Sequence, residues 1–426
     1  MSKYRNNEIM KHRNNLINSL AVLLVTLASC VNYDDASRLV DVKVQLLAPK
    51  EYKSGATIGE REITLKTGGM TRTAKTDASD VAVFLQTMPD VYTISTAWEL
   101  TGDEYTEKTG STGVVSGYIV TASLNDQPVS EAQESEPLKL QATISMKPAI
   151  VISKIYSSGS KARPELGGKN YLSGKYFEIY NQSGEDINVA GLYFGLLDST
   201  NPIPYTLQNL YDDPQIKGEK VVVKQVFRIP TDKEYILKGG QSIILTNSAV
   251  DHSDVSDYEQ DLTHADFEAV GVNDKLEHNE NVPKLITVFT SSGGAAIMNL
   301  VQGGPCGIIL FETDEDVSTW EKVYGYGKTS GSITYMLVPK KYIKDGVDFL
   351  KNKNVTGPDL AAKRLYPELD ASCTHINAIN GYSGEVLYRR TASKAPDGRK
   401  ILMDTNNSSN DFKVSTTIKP REYDEE

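Results

Sequence analysis

Apolar and polar residues alternate over much of this 426-residue chain, and a period of two belongs to strands that keep one face wet. Leu39-Val40-Asp41-Val42-Lys43-Val44-Gln45-Leu46 and Arg61-Glu62-Ile63-Thr64-Leu65-Lys66 show the pattern plainly. Further strands are predicted over 76–84, 88–94, 118–124 and 138–146, with a polar, acidic loop over 125–137. No helix is expected within 38–148. Beyond it, strand patterns recur at 150–156, 176–181, 187–193, 220–227, 241–245, 283–289, 307–311 and 332–338, separated by long polar insertions. Only 342–350 and 360–365 read as short helices. The predicted class is all-β.

Composition agrees: 23 Tyr stand against 9 Phe and 2 Trp, and Tyr favours strands and half-wet surfaces. The formal net charge of −11 argues against nucleic acid as a partner, because phosphate contacts need a basic face. The first 29 residues stand apart. Lys3, Arg5, Lys11 and Arg13 precede an apolar run over 16–27, too short to span a bilayer but suited to a secretory leader. Its end, Leu27-Ala28-Ser29-Cys30, resembles the bacterial lipobox, which implies cleavage before Cys30 and lipidation of its thiol. Residues 1–29 are then a lipoprotein signal peptide, and the mature chain carries about −14. The following Val31-Asn32-Tyr33-Asp34-Asp35 resembles the acidic export signal of Bacteroidetes-type surface lipoproteins, a solvated linker being the alternative. Residues 30–37 are read as an acidic tether. The expected location is the outer membrane, lipid-anchored and facing the cell exterior.

Thr76-Asp77-Ala78-Ser79-Asp80-Val81-Ala82-Val83-Phe84 and Met88-Pro89-Asp90-Val91-Tyr92-Thr93-Ile94 resemble the carboxypeptidase-regulatory-like or transthyretin-like β-sandwich. Asp80 and Asp90 stand where that family usually has Gly. Ile150 to Gly159, then Phe177-Glu178-Ile179-Tyr180-Asn181 and Ile187-Asn188-Val189-Ala190-Gly191-Leu192, resemble the opening of a lamin-tail-like immunoglobulin-like domain. Together with Asp261 to Glu268, Tyr388-Arg389-Arg390 and Asp404 to Phe412, they are similar to an uncharacterised Bacteroidetes lipoprotein family, a domain of unknown function. The organisation expected is 38–148 as the first sandwich and 149–426 as the lamin-tail-like second. The fold expected is tandem immunoglobulin-like β-sandwiches with long loop insertions and few short helices.

Catalytic signatures are sparse. There is no His-Glu-x-x-His, Gly-x-Ser-x-Gly or Cys-x-x-Cys. Gly327-Lys328-Thr329 has Lys322 where a P-loop needs its first Gly, so it reads as a turn. Cys373 and His375 lack an orienting partner for a nucleophile. Cys306 and Cys373 are a candidate disulfide in an oxidising envelope, where closing about 68 residues contributes roughly 4 kcal/mol in the chain-entropy model. Two buried free thiols are the alternative. Residues 251–281 hold ten carboxylates, Lys275, and three histidines: His252, His264 and His278. The histidine spacing matches no compact ligand set, so the segment reads as a solvated surface loop or lid contributing little to the cores, with a short apolar patch (Phe267, Ala269, Val270 and Val272) able to dock its middle on the sandwich, and with a metal site as the alternative. Asp404 to Asn410 hints at a calcium loop but lacks its Gly and Glu, and reads as an Asx-rich turn.

No catalytic residue, metal or cofactor is therefore predicted. The expected function is non-enzymatic ligand capture at the cell surface. The family resemblance adds a TonB-dependent outer-membrane transporter as partner. A structural or adhesive module without a small ligand is the alternative, and a carboxylate-based hydrolase a third reading, since paired Asp and Glu leave no sequence signature.

Overall fold

Between residues 40 and 146 the alternating segments pair into two sheets that face each other. The computed structural model describes residues 38–68, 70–113, 117–131, 135–198, 203–271, 275–291, 297–301, 306–349 and 363–425. Cys30 and the stretches expected to be its leader and tether, residues 1–37, lie outside the described residues. In the first sheet β1 (Val40–Leu47) lies between antiparallel β4 (Val81–Thr87) and parallel β7 (Leu138–Gln141). The second runs in the order β3 (Met70–Lys75), β2 (Glu62–Thr67), β5 (Asp90–Leu100), β6 (Tyr118–Val129) and β8 (Thr143–Met146). Val42, Val44, Leu65, Phe84, Ile94 and Val120 fill the space between them, each contributing roughly 1.5–3 kcal/mol by leaving water. Asp77 Oδ1 accepts from the Ser79 and Val81 amides at 2.8 and 3.0 Å, and Asp80 takes the left-handed conformation, φ 59°, that glycine would supply.

Three sequence expectations fail here. The strand β6 continues to Val129, so the start of the expected 125–137 loop is sheet. Residues 70–75 form β3, which had not been expected. A helix, α1 (Gly102–Thr109), follows β5. Thr101 Oγ1 accepts the Glu104 amide at 3.1 Å and Glu104 Oε2 accepts the Thr101 amide at 2.7 Å. That reciprocal cap is written in the sequence as Thr-x-x-Glu.

From residue 150 onward a six-stranded sheet faces a five-stranded one. The first runs β15 (Phe267–Glu268), β14 (Ser242–Thr246), β10 (Tyr176–Asn181), β9 (Ile150–Tyr156), β21 (Val386–Arg389), β22 (Phe412–Ser415). The second runs β16 (Ile286–Thr290), β13 (Gln225–Arg228), β11 (Tyr193–Leu196), β17 (Cys306–Phe311), β20 (Ile343–Phe349). Ile155, Phe177 and Leu245 of one sheet meet Phe194, Phe227 and Leu310 of the other. A small sheet, β12 (Lys220–Val223), β19 (Tyr335–Pro339) and β18 (Lys322–Val323), covers the far side of the five-stranded sheet. Strands β9 and β10 are buried along their whole length, which makes the architecture layered and explains their near-continuous apolar runs. The helix expected over 342–350 is instead one 3₁₀ turn followed by β20. Asp345 and Asp348 imitate a helical polar spacing there, yet both are buried and bound. Residues 363–365 are not helical, and 350–362 lie outside the described residues.

Candidate functional site

Strand β8 ends the first sandwich, and Lys147, Pro148 and Ala149 lead directly into β9. The two bodies diverge at this crossing and leave a cleft of about 410 Å³. Met146, Pro148 and Ala149 form one wall; Leu192, Leu310, Ile343 and Leu369 form much of the other. Asn406 Nδ2 bridges the walls, donating to Ser145 Oγ at 2.5 Å and to Glu368 O at 3.2 Å. The rim charges are paired: Lys147 with Glu99 at 2.6 Å, Lys340 with Glu368 at 2.5 Å, Lys344 with Glu312 at 3.5 Å. An apolar floor with a few oriented polar groups suits binding of a small molecule.

Asp345 lies at the inner end of this cleft and belongs to a buried charge cluster. Its Oδ2 accepts the Ile152 amide at 2.6 Å and its Oδ1 the Gly346 amide at 2.8 Å. Arg389 reaches Asp345, Asp404 and Asp411 together at 3.0, 3.1 and 3.4 Å. Burial opposes the charge of Arg389, but the three carboxylates outweigh it and hold the guanidinium protonated. The same burial pushes Asp411 up to about 7, with Arg389 opposing, and raises Asp345. Asp411 Oδ2 also accepts the amides of Thr405 and Asn407 at 3.0 and 3.3 Å. The expected Asx-rich turn is thus a bend over Asp404–Asn407 wound on Asp411, followed by one short helix over Ser408–Asp411. Nearby, Asp370 is pushed to about 6 by burial, with Lys363 opposing. Its oxygens accept the Asp348 and Ser408 amides at 2.8 and 2.9 Å. Such groups are locked in place by backbone donors.

The acidic insertion is not the solvated loop its composition suggested. Leu262, Ala265 and Val282 pack on Tyr156, Tyr176 and Ile244, the outer face of the six-stranded sheet, and Phe267 joins the main core. Glu268 is fully buried, with Lys284 at 2.5 Å and His278 at 3.1 Å. Glu259 Oε1 accepts from Tyr156 and Ser160 at 2.7 and 2.6 Å. The three histidines serve different places: His252 is buried between Tyr171 Oη at 2.6 Å and Ser248 O at 2.9 Å, His278 faces Glu268, and His264 is exposed. Among the described residues no group of three or more His, Cys, Asp or Glu could hold a metal ion.

Cys306 and Cys373 are both buried free thiols, so the candidate disulfide is not formed. Phe349 stands between them: it pairs with Cys306 across the sheet and bridges to Thr374 on its other side. Burial pushes the Cys306 thiol to about 11 and the Cys373 thiol well up, which removes nucleophilic character at neutral pH. His375 Nδ1 meets only the backbone oxygen of Ile376 among the contacts described, at 3.1 Å. Gly327-Lys328-Thr329 lies in a turn. The Arg389 cluster was visible in sequence only as fragments, Tyr388-Arg389-Arg390 and Asp404 to Phe412, while its third acid, Asp345, lay in a stretch read as a helix.

Residues 238–419 match a family model described as protein of unknown function (DUF4876). A crystal structure of a DUF4876 family protein from Bacteroides thetaiotaomicron is similar over 91% of this chain and 98% of that one, with 19% identity and a TM-score of 0.54. That likeness establishes the fold. No curated protein matches. The DUF4876-matching segment contains Arg389 and all the acids around it, whereas one wall of the cleft comes from outside it.

Proposed function

We propose that this protein is a lipid-anchored, non-enzymatic binding protein on the outer face of the outer membrane, and that it captures a small ligand in the cleft between its sandwiches. The cleft itself carries the reading: an apolar floor at the junction of two bodies, with its rim charges already neutralised by neighbours. Acid–base catalysis needs a titratable group within reach of substrate. Asp370 and Asp411, pushed up to about 6 and about 7, are fully buried, and Asp345 at the inner end of the cleft is itself buried and held by Arg389 and the Ile152 and Gly346 amides. In this reading the first body is a carboxypeptidase-regulatory-like sandwich, the second is lamin-tail-like, and the partner receiving the ligand is a TonB-dependent transporter.

Native mass spectrometry of the protein released from its membrane tests ligand capture directly. A small molecule retained by the wild type and lost in Leu192→Trp, which fills the cleft, is the expected result. An unladen wild type would count against it. Detergent pull-down of the same protein tests the partner: a co-purifying barrel transporter supports the accessory role, and its absence favours adhesion.

A further inference from the structure

We propose that the free end of the first sandwich is a membrane-contact surface, its apolar rim seated in the lipid layer that holds the acyl chains of Cys30. The inference rests on the reading of Cys30 as an acylated anchor. Five large apolar side chains stand exposed at that end: Leu85 (59%), Met88 (58%), Leu39 (47%), Val91 (45%) and Met70 (41%). Register brings them together. Val40 pairs with Thr87, so Leu39 lies beside the turn that carries Met88. Thr67 pairs with Met70, and Thr67 Oγ1 donates to Asp90 Oδ2 at 2.9 Å, which sets that hairpin tip next to Val91. Exposed apolar side chains scattered singly need no explanation, but a cluster marks a contact surface.

The rim is also held rigid. Gln86 adopts a left-handed backbone, φ 49°, beside a bulge between Val40 and Val42. This breaks the alternation, so that Leu85 and Gln86 both face outward; re-aiming a side chain is what bulges do. Asp41 Oδ1 accepts the Gln86 amide at 2.8 Å. The Arg72 guanidinium donates to Leu85 O at 2.7 Å and Thr87 Oγ1 at 3.1 Å. Leu85 is therefore presented by a braced turn, and little ordering entropy opposes its contact.

The position of the anchor identifies lipid as the occupant. Ten residue steps separate Cys30 from Val40, which span at most about 35 Å when extended. The chain enters the fold at Leu39, within the rim itself, so an acyl chain on Cys30 is tethered within that reach of the apolar cluster. Lys43 and Lys66 are exposed on the adjoining strands, suited to phosphate headgroups. Of the acids at this end, Asp41 and Asp90 are turned to Gln86 and Thr67, while Glu131 and Glu136 stand exposed between β6 and β7.

Hydrogen–deuterium exchange of the membrane-purified protein in phosphatidylcholine vesicles, compared with Cys30→Ala in solution, tests the contact. Residues 70–72 and 85–91 should exchange roughly fivefold more slowly on vesicles, while the 391–402 hairpin should not change. The double variant Leu85→Ser/Met88→Ser should lose that protection yet keep its melting temperature. The intact mass of the same sample reads the acyl chain. An acylated chain with unchanged exchange at the rim, or protection that survives in the double variant, overturns the contact and leaves the anchor standing. A chain without acyl mass overturns both.

Discussion

Arg389 grips both oxygens of Asp345, Nη2 lying 3.1 Å from Oδ1 and 3.0 Å from Oδ2, and so pins β21 of one sheet to β20 of the sheet facing it. Its Nε donates to Ile152 O at 2.9 Å, while the Ile152 amide donates to Asp345 Oδ2 at 2.6 Å. The circuit closes through β9. Removing the guanidinium leaves three carboxylates buried without their cation, a change that costs about 3–5 kcal/mol in comparable pairs. Arg389→Met should lose stability of that order in urea denaturation. Arg389→Lys should recover only part, since one ammonium cannot reach Ile152 O, Asp345 and the Asp404–Asp411 pair at once as Nε, Nη2 and Nη1 do. A loss below about 1 kcal/mol for Arg389→Met would place the cluster outside the stabilising core.

The same cluster sets a pH dependence. Asp411 and Asp370 have folded values near 7 and 6, raised from an ordinary 3.8. The folded protein therefore keeps protons that the unfolded chain has already released. The stability these two groups contribute is fully present below about 4 and declines as pH rises from 4 through 7. The slope reaches at most about 1.4 kcal/mol per pH unit for each group titrating alone. Denaturation midpoints measured between pH 4.5 and 8 should fall with rising pH, and Asp411→Asn should flatten the upper part of that curve. An Asp411→Asn curve parallel to the wild type would assign the titration elsewhere.

Strand identity was legible wherever one face stays wet, as along β1 and β2, because water and core alternate with the pleat. Legibility failed where both faces are covered. Asp345 and Asp348 sit buried on a strand and take backbone amides inside the fold, so their spacing says nothing about solvent. The acidic insertion failed for a related reason: composition counts carboxylates, and Glu259 accepts from the Tyr156 and Ser160 hydroxyls while Glu268 pairs with Lys284 beside His278, partners that only the fold brings near. Glu178 shows the same limit. It lay inside a strand motif, and nothing local announced its fully buried pairing with Lys154 at 3.0 Å. The cleft had no sequence signature at all, being made where two bodies part.

The covered outer face predicts that the insertion behaves as core. Phe267 is buried against Tyr235, with ring centroids 5.0 Å apart, and Leu262 closes the layer over Tyr156. Phe267→Ala should cost about 3–5 kcal/mol and Leu262→Ala about 2–5 kcal/mol, both read by thermal or urea denaturation. Adding EDTA should leave either midpoint where it was. Near-native stability in both variants would return the segment to the surface.

Both thiols should be silent in the folded protein. Cys306 lies on a fully buried strand and Cys373 is 2% exposed, so a thiol reagent must wait for unfolding. Native, non-reduced mature protein should bind no thiol reagent over minutes and two equivalents in denaturant. Full protection that persists in denaturant until a reductant is added would reveal a bridge.

The first sandwich should fold by itself. Its two sheets and the core between them are drawn from residues 40–146, and about 110 residues bury enough surface for independent stability. Its ties to the second body include Asn125 Nδ2 donating to Ala371 O, and Asn406 Nδ2 donating to Ser145 Oγ. These are single hydrogen bonds, each contributing about 0.5–1.5 kcal/mol net. Excised residues 38–148 should therefore melt in one cooperative transition with a strand-rich circular dichroism spectrum. In the full chain Asn125→Ala with Asn406→Ala should leave that transition in place and loosen the cleft, read as faster hydrogen exchange at 145–149. An excised fragment without a cooperative transition would mean that the second body completes the first, and the cleft would then be a fixed seam.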